Sequence, residues 1–309
     1  MARVNQGARY RELGALLREK RERAGLNGRQ LAEKVGWTEL KVSRVETGQT
    51  AIDVVDAIHY LGQLGLYHRS KIADLLNVCR EAERKLGYWL SPHGELLQDS
   101  LGPLIYHESM ATASATYEPQ LVPGLLQTTD YARACIAAER WRSPENVEEC
   151  VRIRMDRQRI LDVLHPATFT FFVHEEALRL EVSGPGIMHE QLLKLLLVSA
   201  LSHVSLRIVP WSAGEHSAFG GPFCLFEFAE YPPLAYMDTY KTGLFLEDKE
   251  FIEPFRQLVS DMSEVALDEG QSRELIASLA SEYDLRSAQD ADDHLADEQL
   301  QWGWWKQLR

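Results

Sequence analysis

Cysteine is scarce in this chain. Four residues, Cys79, Cys135, Cys150 and Cys224, are scattered over 309 positions with no short spacing between any two. That excludes a CxxC redox pair or zinc knuckle. It fits reduced cytoplasmic thiols used as small apolar filler. Long hydrophobic runs are missing too. None approaches the ~18–20 residues of a membrane span, so no membrane association is expected. The opening residues, Met1 to Gly7, are polar and do not resemble an apolar signal segment. No Gly-rich phosphate loop follows a strand pattern. Gly184-Pro185-Gly186 and Gly220-Gly221-Pro222 read as turns, and no Ser occupies a nucleophile-elbow setting. His174 beside Glu175 and Glu176 has the residue types of an acid–base or metal cluster. Adjacent residues at a strand end point different ways, however, and no second His or Cys lies at ligand spacing. The simpler reading is a strand end whose acidic residues open the next helix. The expectation is therefore no enzyme, no cofactor and no metal.

Positive charge is also in deficit, with 33 Lys and Arg against 46 Asp and Glu, net −13. The deficit is uneven. Residues 1–45 hold 11 basic and 5 acidic side chains, a balance of +6, and the remainder holds 22 and 41, a balance of −19. A basic N-terminal segment is the footprint needed to displace counterions from phosphate. The acidic remainder favours solubility and opposes non-specific clinging to nucleic acid.

The basic segment contains the most informative pattern. Leu26 to Gly48 reads as two short helices joined by a tight turn. Asn27 is a good N-cap for the first, whose apolar face carries Leu31, Ala32 and Val35. Gly36 can take the left-handed conformation that ends it. Thr38 caps the second helix, which turns Val42 and Val45 inward, leaves Glu39, Lys41, Ser43 and Arg44 outward, and stops at Gly48. Ala32 is the small residue that lets two helices cross steeply. Such a pair places its second helix in a DNA major groove. A basic amphipathic helix, Tyr10 to Ala24, precedes it, and helices over Ile52–Leu64 and Lys71–Glu83 complete a five-helix domain.

Residues 9–66 resemble the Cro-type helix-turn-helix of phage repressors, the xenobiotic-response-element (XRE) family, most closely over Leu26 to Gly48. The resemblance implies a largely buried ion pair between Arg21 and Glu46. The family often has Gln near the start of the first motif helix, bracing the second helix and a phosphate. Here Gly28 stands there with Arg29 beside it, which transfers the phosphate role to Arg29. The expected base-edge contacts are Glu39, Leu40, Lys41 and Arg44, with Arg44 and Lys41 as donors to guanine. Expected phosphate contacts are Asn27, Arg29, Thr38 and, more weakly, Ser43.

Arg84 to Leu90 reads as an extension of the last N-terminal helix. Pro92, Gly94, Gly102 and Pro103 then mark a linker, so the expected organisation is a reader over 1–88, a linker over 89–109, an α+β domain over 110–283 and a tail over 284–309. In the α+β domain, Ala111–Tyr117, Thr168–His174, Val204–Val209, Phe223–Phe228 and Leu234–Asp238 read as strands. Glu118 to Gln127 is a rigid loop whose Leu121, Leu125 and Leu126 need burial. Thr128 or Thr129 starts a helix through Ala138, and Ser143-Pro144-Glu145 starts another running to about Leu164. Further helices are expected over Glu175–Leu180, Met188–Leu201, Ile252–Leu267 and Ser272–Ala280. Strands and helices do not alternate strictly, hence α+β. Arg157, His174, Trp211 and Tyr236 are candidates for a small-molecule effector pocket, with Phe219, Phe223, Tyr231 and Tyr240 as further aromatic walls. The alternative is that these aromatics are core. The acidic tail carries Trp302, Trp304 and Trp305, whose burial needs a docking surface on the chain itself, a sister subunit or a partner.

The segments Tyr117–Arg133, Arg157–Arg159, His174–Arg179 and Val209–His216 carry a second resemblance. They are similar to the uncharacterised domain that follows Cro-type modules in many actinobacterial regulators, over about residues 100–280. That resemblance implies a small partner protein in antitoxin-like or developmental pairs. The combined expectation is a homodimeric, cytoplasmic transcription regulator that binds double-stranded DNA. The other reading is an antitoxin-like module that neutralises a small partner and autoregulates.

Overall fold

Five helices come first in the computed structural model: α1 (Ala8–Arg23), α2 (Gly28–Val35), α3 (Glu39–Glu46), α4 (Val54–Gln63) and α5 (Arg69–Arg84). They are followed by β1 (Tyr88–Pro92), α6 (Leu97–Met110), β2 (Ala113–Glu118), α7 (Thr129–Ala138), α8 (Pro144–Arg157) and β3 (Thr168–His174). Then come α9 (Glu175–Arg179), α10 (Pro185–Val198), β4 (Val204–Val209), β5 (Phe223–Glu227), β6 (Leu234–Asp238), β7 (Thr242–Leu246), α11 (Lys249–Val265) and α12 (Glu269–Gln307). Short 3₁₀ turns lie at Gly124–Leu126, Gln158–Asp162 and Trp211–Ser217. The seven strands are ordered β1-β7-β6-β5-β2-β3-β4 in one sheet, so a helical N-terminal region precedes an α+β region. The structure describes residues 7–66, 69–84, 86–92, 97–139, 143–163, 167–217, 221–239 and 242–307, without the side chains of 69–71, 92, 97–100, 216–217 and 291–307.

Two compact units divide the chain discontinuously. The first comprises Met1–Pro92, Gly102–Ala111 and Phe226–Phe255, and the division falls within α6, β5 and α11. Its helical core gathers Leu13 and Leu17 of α1, Leu31 and Val35 of α2, Val42 and Val45 of α3, and Tyr60 and Leu61 of α4, with Leu75, Leu76 and Cys79 of α5. Burial raises the Cys79 thiol to about 12, which makes it an inert apolar filler. The four cysteines are all free.

Outside that core the first unit has an aromatic cluster. Trp89 of β1 stacks on Phe245 of β7 at 4.9 Å, with His107 of α6 at 6.1 Å from Trp89 and 6.0 Å from Phe245. β1 pairs antiparallel with β7, and β7 with β6. Gly243 is required in β7, because a Cβ there would lie 2.5 Å from the Tyr236 ring on β6. The Arg11 guanidinium lies over Tyr231 and Phe228, at 4.5 and 5.4 Å. The Glu247 carboxylate accepts from the Ala8 backbone at the start of α1, where the helix dipole favours an anion.

The second unit comprises His93–Leu101, Thr112–Leu225 and Arg256–Arg309. Its β2, β3 and β4 run parallel, as helical crossovers through α7–α8 and α9–α10 require. Phe169, Phe171, Phe172 and Val173 are all buried, the two-faced burial typical of a covered parallel strand. α10 packs against α12 through Met188, Leu192, Leu195, Ile276, Leu279 and Tyr283.

Several expected boundaries differ. α5 ends at Arg84, and residues 86–90 do not continue it. Gly87 turns the chain with φ +73 and β1 begins at Tyr88. The stretch 89–109, expected as a linker, contains β1 and α6, and Trp89, Leu101, Leu104 and His107 within it are buried. Leu125 and Leu126 are buried as expected, but Leu121 is 36% exposed, at the tip of the loop. The segment from residue 284 is helical, continuing α12 to Gln307. The side chains of Trp302, Trp304 and Trp305 lie outside the described residues, as do Phe219 and Tyr240.

His107 generates a pH prediction. Its ring is 1% exposed, and desolvation together with the charges of Arg11 and Arg9 holds its pKa well below the ordinary value. The unfolded state therefore binds the proton more readily than the folded one. The stability due to neutral His107 is complete above about pH 6.5 and is lost as pH falls, by about 1.4 kcal/mol per unit until the folded pKa is reached. Urea unfolding of the native chain and His107→Phe between pH 7 and 5 should show a steeper loss in the native chain. Parallel curves would place the His107 ring in solvent.

Candidate nucleic-acid interface

The helix pair over 27–47 is built from its ends inward. Asn27 Oδ1 accepts from Gln30 N at 2.9 Å and Gln30 Oε1 accepts from Asn27 N at 2.8 Å, a reciprocal capping box that starts α2. Gly36, at φ +73, ends it. Thr38 Oγ1 accepts from Lys41 N at 3.1 Å and starts α3. Gly48, at φ +67, ends the following turn and lies against α1, where a Cβ would meet Arg11 Cα at 2.6 Å. Gly14 of α1 is as constrained, since a Cβ there would lie 2.4 Å from Val45 O. Gly14, which the sequence pattern did not single out, therefore has no room for a side chain against α3. Ala32 is buried as expected.

The roll of α3 about its axis is set by a buried polar network. Arg21 Nε and Nη2 donate to the two Glu46 carboxylate oxygens, both at 2.7 Å, and Arg21 Nη1 donates to Leu26 O at 2.7 Å. Tyr60 Oη donates to Glu46 Oε1 at 2.6 Å and lies 3.2 Å from Leu17 O. Arg21 and Glu46 are each 8% exposed and Tyr60 is fully buried. Burial, and then the hydrogen bond to Glu46, raises the Tyr60 pKa far above its ordinary value, so the phenol remains a donor. Tyr60 was missed in the sequence reading. Its only signal is a phenol on the apolar face of α4, where an O–H needs a partner.

With Val42, Val45 and Glu46 inward, α3 turns Glu39, Leu40, Ser43 and Arg44 outward. Leu40 is 59% exposed, and Arg44 is exposed and makes no ion pair among the described residues. Asn27, Arg29 and Thr38 are exposed beside this face, with Arg29 within 3.2 Å of Glu33. Lys41, read as facing outward, is half-buried. Its ammonium donates to Asp56 of α4 at 3.0 Å and stands 3.8 Å from the centre of the Trp37 ring. Neither Asp56 nor Trp37 was read as part of the site.

The four candidate pocket residues occupy separate settings. Tyr236 belongs to the first unit, where its ring packs 4.8 Å from Phe245. In the second unit, His174 Nδ1 accepts from Glu176 N at 3.1 Å and caps α9. Desolvation lowers the His174 pKa. Trp211 is half-exposed, donates its backbone N–H to Glu175, and lies 5.2 Å from the Arg179 guanidinium. Arg157 flanks Gly124, 3.7 Å from where a Cβ would stand. Among the described residues no group of three or more His, Cys, Asp or Glu could hold a metal ion, and no helix is long and apolar enough to cross a membrane.

The Pro-rich loop before α7 is held by side chains. Gln127 Nε2 donates to Val122 O, Gln191 Nε2 to Leu126 O, and Gln158 Nε2 to Gly124 O and Gln127 O, all between 2.8 and 2.9 Å. Lys194 Nζ also donates to Gln127 O, at 2.7 Å, and Arg154 Nη1 to Gln127 Oε1, at 2.7 Å. Desolvation lowers the Lys194 pKa.

The capped helix pair with its outward α3 face defines a helix-turn-helix protein, and residues 12–84 match the helix-turn-helix domain family. Residues 101–278 match the family described as domain of unknown function DUF5753. That match spans more than half of the chain, and the chain belongs to this family. No curated protein matches it. Among solved structures, the archaeal chromatin protein TrmBL2, described as showing a novel mode of DNA binding, is 12% identical. The alignment covers 67% of this chain and 70% of that one at a TM-score of 0.28, too slight a likeness to define a shared fold.

The buried network yields a stability prediction. Removing one member of a buried ion pair strands the other charge, at about 3–5 kcal/mol. Arg21→Ala and Glu46→Ala should each lose about that much in denaturant unfolding, and the double variant much less than the sum. Tyr60→Phe should lose about 1–2 kcal/mol. Small, additive losses would mean that the pair is solvated.

Proposed function

We propose that this chain is a sequence-specific transcription regulator of the Cro type, binding a two-fold DNA operator as a homodimer. The observation that carries this reading is the outward face of α3. It is capped, held at a fixed roll by a buried ion pair, and left with Glu39, Leu40, Ser43 and Arg44 in solvent. These side chains match base-edge chemistry in the major groove. Arg44 donates to guanine O6 and N7, Glu39 accepts from cytosine N4, and Leu40 packs on a thymine methyl. Asn27, Arg29, Thr38 and Ser43 serve the phosphates on either side. The +6 balance of residues 1–45 supports the same reading. The second unit supplies control by a small-molecule effector or a partner protein.

Selection from a random duplex pool with the full chain should recover a two-fold site with half-sites about 34 Å apart. Arg44→Ala should weaken binding to that site by about 1–3 kcal/mol and relax one position per half-site. Arg29→Ala should weaken selected and random DNA alike and reduce the salt dependence. Equal losses on both DNAs for Arg44→Ala would reassign Arg44 to phosphate. Recovery of no preferred sequence would overturn the reading.

A further inference from the structure

The reading helix carries a cation that it does not present. Lys41 Nζ donates to Asp56 Oδ2 at 3.0 Å, linking α3 to α4, and its ammonium stands 3.8 Å from the centre of the Trp37 ring. Neither partner is free to follow it outward. Trp37 packs on Tyr60 at 6.2 Å, and Tyr60 is itself bonded to Glu46. Asp56 lies in the first turn of α4, where its backbone N–H donates to the Asp53 cap at 2.7 Å. A half-exposed ion pair alone holds weakly, but the indole face adds cation–π attraction to the same ammonium. Arg44, on the same helix, has no such partner among the described residues.

We propose that Asp56 and Trp37 clamp Lys41 away from DNA, which makes Asp56 a specificity-determining residue of the reading face. The proposal rests on the DNA-binding reading above. A lysine ammonium is a compact point charge on a flexible stem that pairs with any phosphate. Released from Asp56, on its flexible stem, it adds a phosphate contact that strengthens every sequence alike and so dilutes discrimination. Holding it on Asp56 leaves discrimination to Glu39, Leu40 and Arg44. The clamp also keeps the Asp56 carboxylate neutralised beside a polyanion.

The test is fluorescence anisotropy of the full chain on its selected duplex and on a random duplex, over a range of salt. Four proteins are compared: wild type, Asp56→Asn, Lys41→Met and the double variant. Met keeps the apolar stem against Trp37, and thermal melting checks that all four are folded. Asp56→Asn should bind random DNA about three- to tenfold more tightly, with a log–log salt slope steeper by about 0.9, one extra phosphate contact. Its preference for the selected duplex should fall. Lys41→Met should keep the wild-type preference for the selected duplex, and adding Asp56→Asn to it should leave its salt slope unchanged. A steeper salt slope from Asp56→Asn that persists without Lys41 would be a general charge effect and would overturn the clamp. So would no gain at all, or a loss of base preference in Lys41→Met. Failure of the wild type to prefer any duplex would sink the DNA-binding reading itself, and shows before any variant is made.

Discussion

The bidentate pair between Arg21 and Glu46 is the constraint on which the reading face depends. It joins the last turn of α1 to the last turn of α3, reaches the Leu26 carbonyl at the entrance to α2, and receives the Tyr60 hydroxyl from α4. Three helices and the loop into α2 therefore share one desolvated charge pair. An apolar core tolerates small rotations of a helix, because one methyl contact substitutes for another. A buried guanidinium–carboxylate pair does not, because any rotation that lengthens two bonds at 2.7 Å exposes an unpaired charge to a low dielectric. Fixing Glu46 thus fixes which residues of α3 point outward. In the proposed role, base readout would depend on that more than on overall stability.

Backbone geometry applies the same restriction from the opposite side. Gly14 and Gly48 let α1 approach the C-terminal end of α3 so closely that neither position has room for a methyl. The polar pair sets the roll and the two glycines set the separation. Around this rigid unit several of the arginines are already paired. Arg18, Arg23 and Arg29 each pair with a glutamate four residues away, and Arg9 with Glu12 and Glu81. Arginines paired in this way are less available to bases, and Arg44, unpaired among the described residues, stays exposed on the outward face of α3.

What could be read in the sequence divides by range. The caps at Asn27 and Thr38, the left-handed Gly36 and the inward Leu31, Val35, Val42 and Val45 depend on residues within one or two turns, so they were legible. Parallel strands such as Thr168–His174 were legible for a similar reason, since their apolar runs are dense. β1 and β7 were not. Arg84–Leu90 has helical composition, and only pairing with β7, some 150 residues on, makes Tyr88–Pro92 a strand. β7 is five residues long with a glycine inside, and it depends on the Tyr236 ring across from it. The discontinuous first unit follows from that pairing, so no local composition shift marks it. The Arg21–Glu46 pair came only through the family resemblance. The tie between Lys41 and Asp56 crosses two helices whose relative placement no periodicity encodes. The aromatics are ambiguous pocket markers because Tyr236 and Trp211 have the same composition signature in a core or at a surface as in a binding site.

The second unit shows the same use of polar side chains to fix backbone. The carbonyls of Val122, Gly124, Leu126 and Gln127 all receive side-chain donors, three of them from Gln158, Gln191 and Lys194 on other elements. Pro119 and Pro123 already restrict the backbone of this loop. Moving it would break several buried or part-buried hydrogen bonds together and leave the desolvated Lys194 with Gln158 Oε1 alone as acceptor. A segment held in that way is a poor lid or hinge. Its physical effect is to seat Leu125 and Leu126 in the core, to present Leu121 at the surface, and to position the start of α7 through Gln191 and Thr128. Any signal received by this unit is therefore transmitted more readily by elements with fewer fixed polar contacts than by this loop, despite its position among the most distinctive residues of the chain.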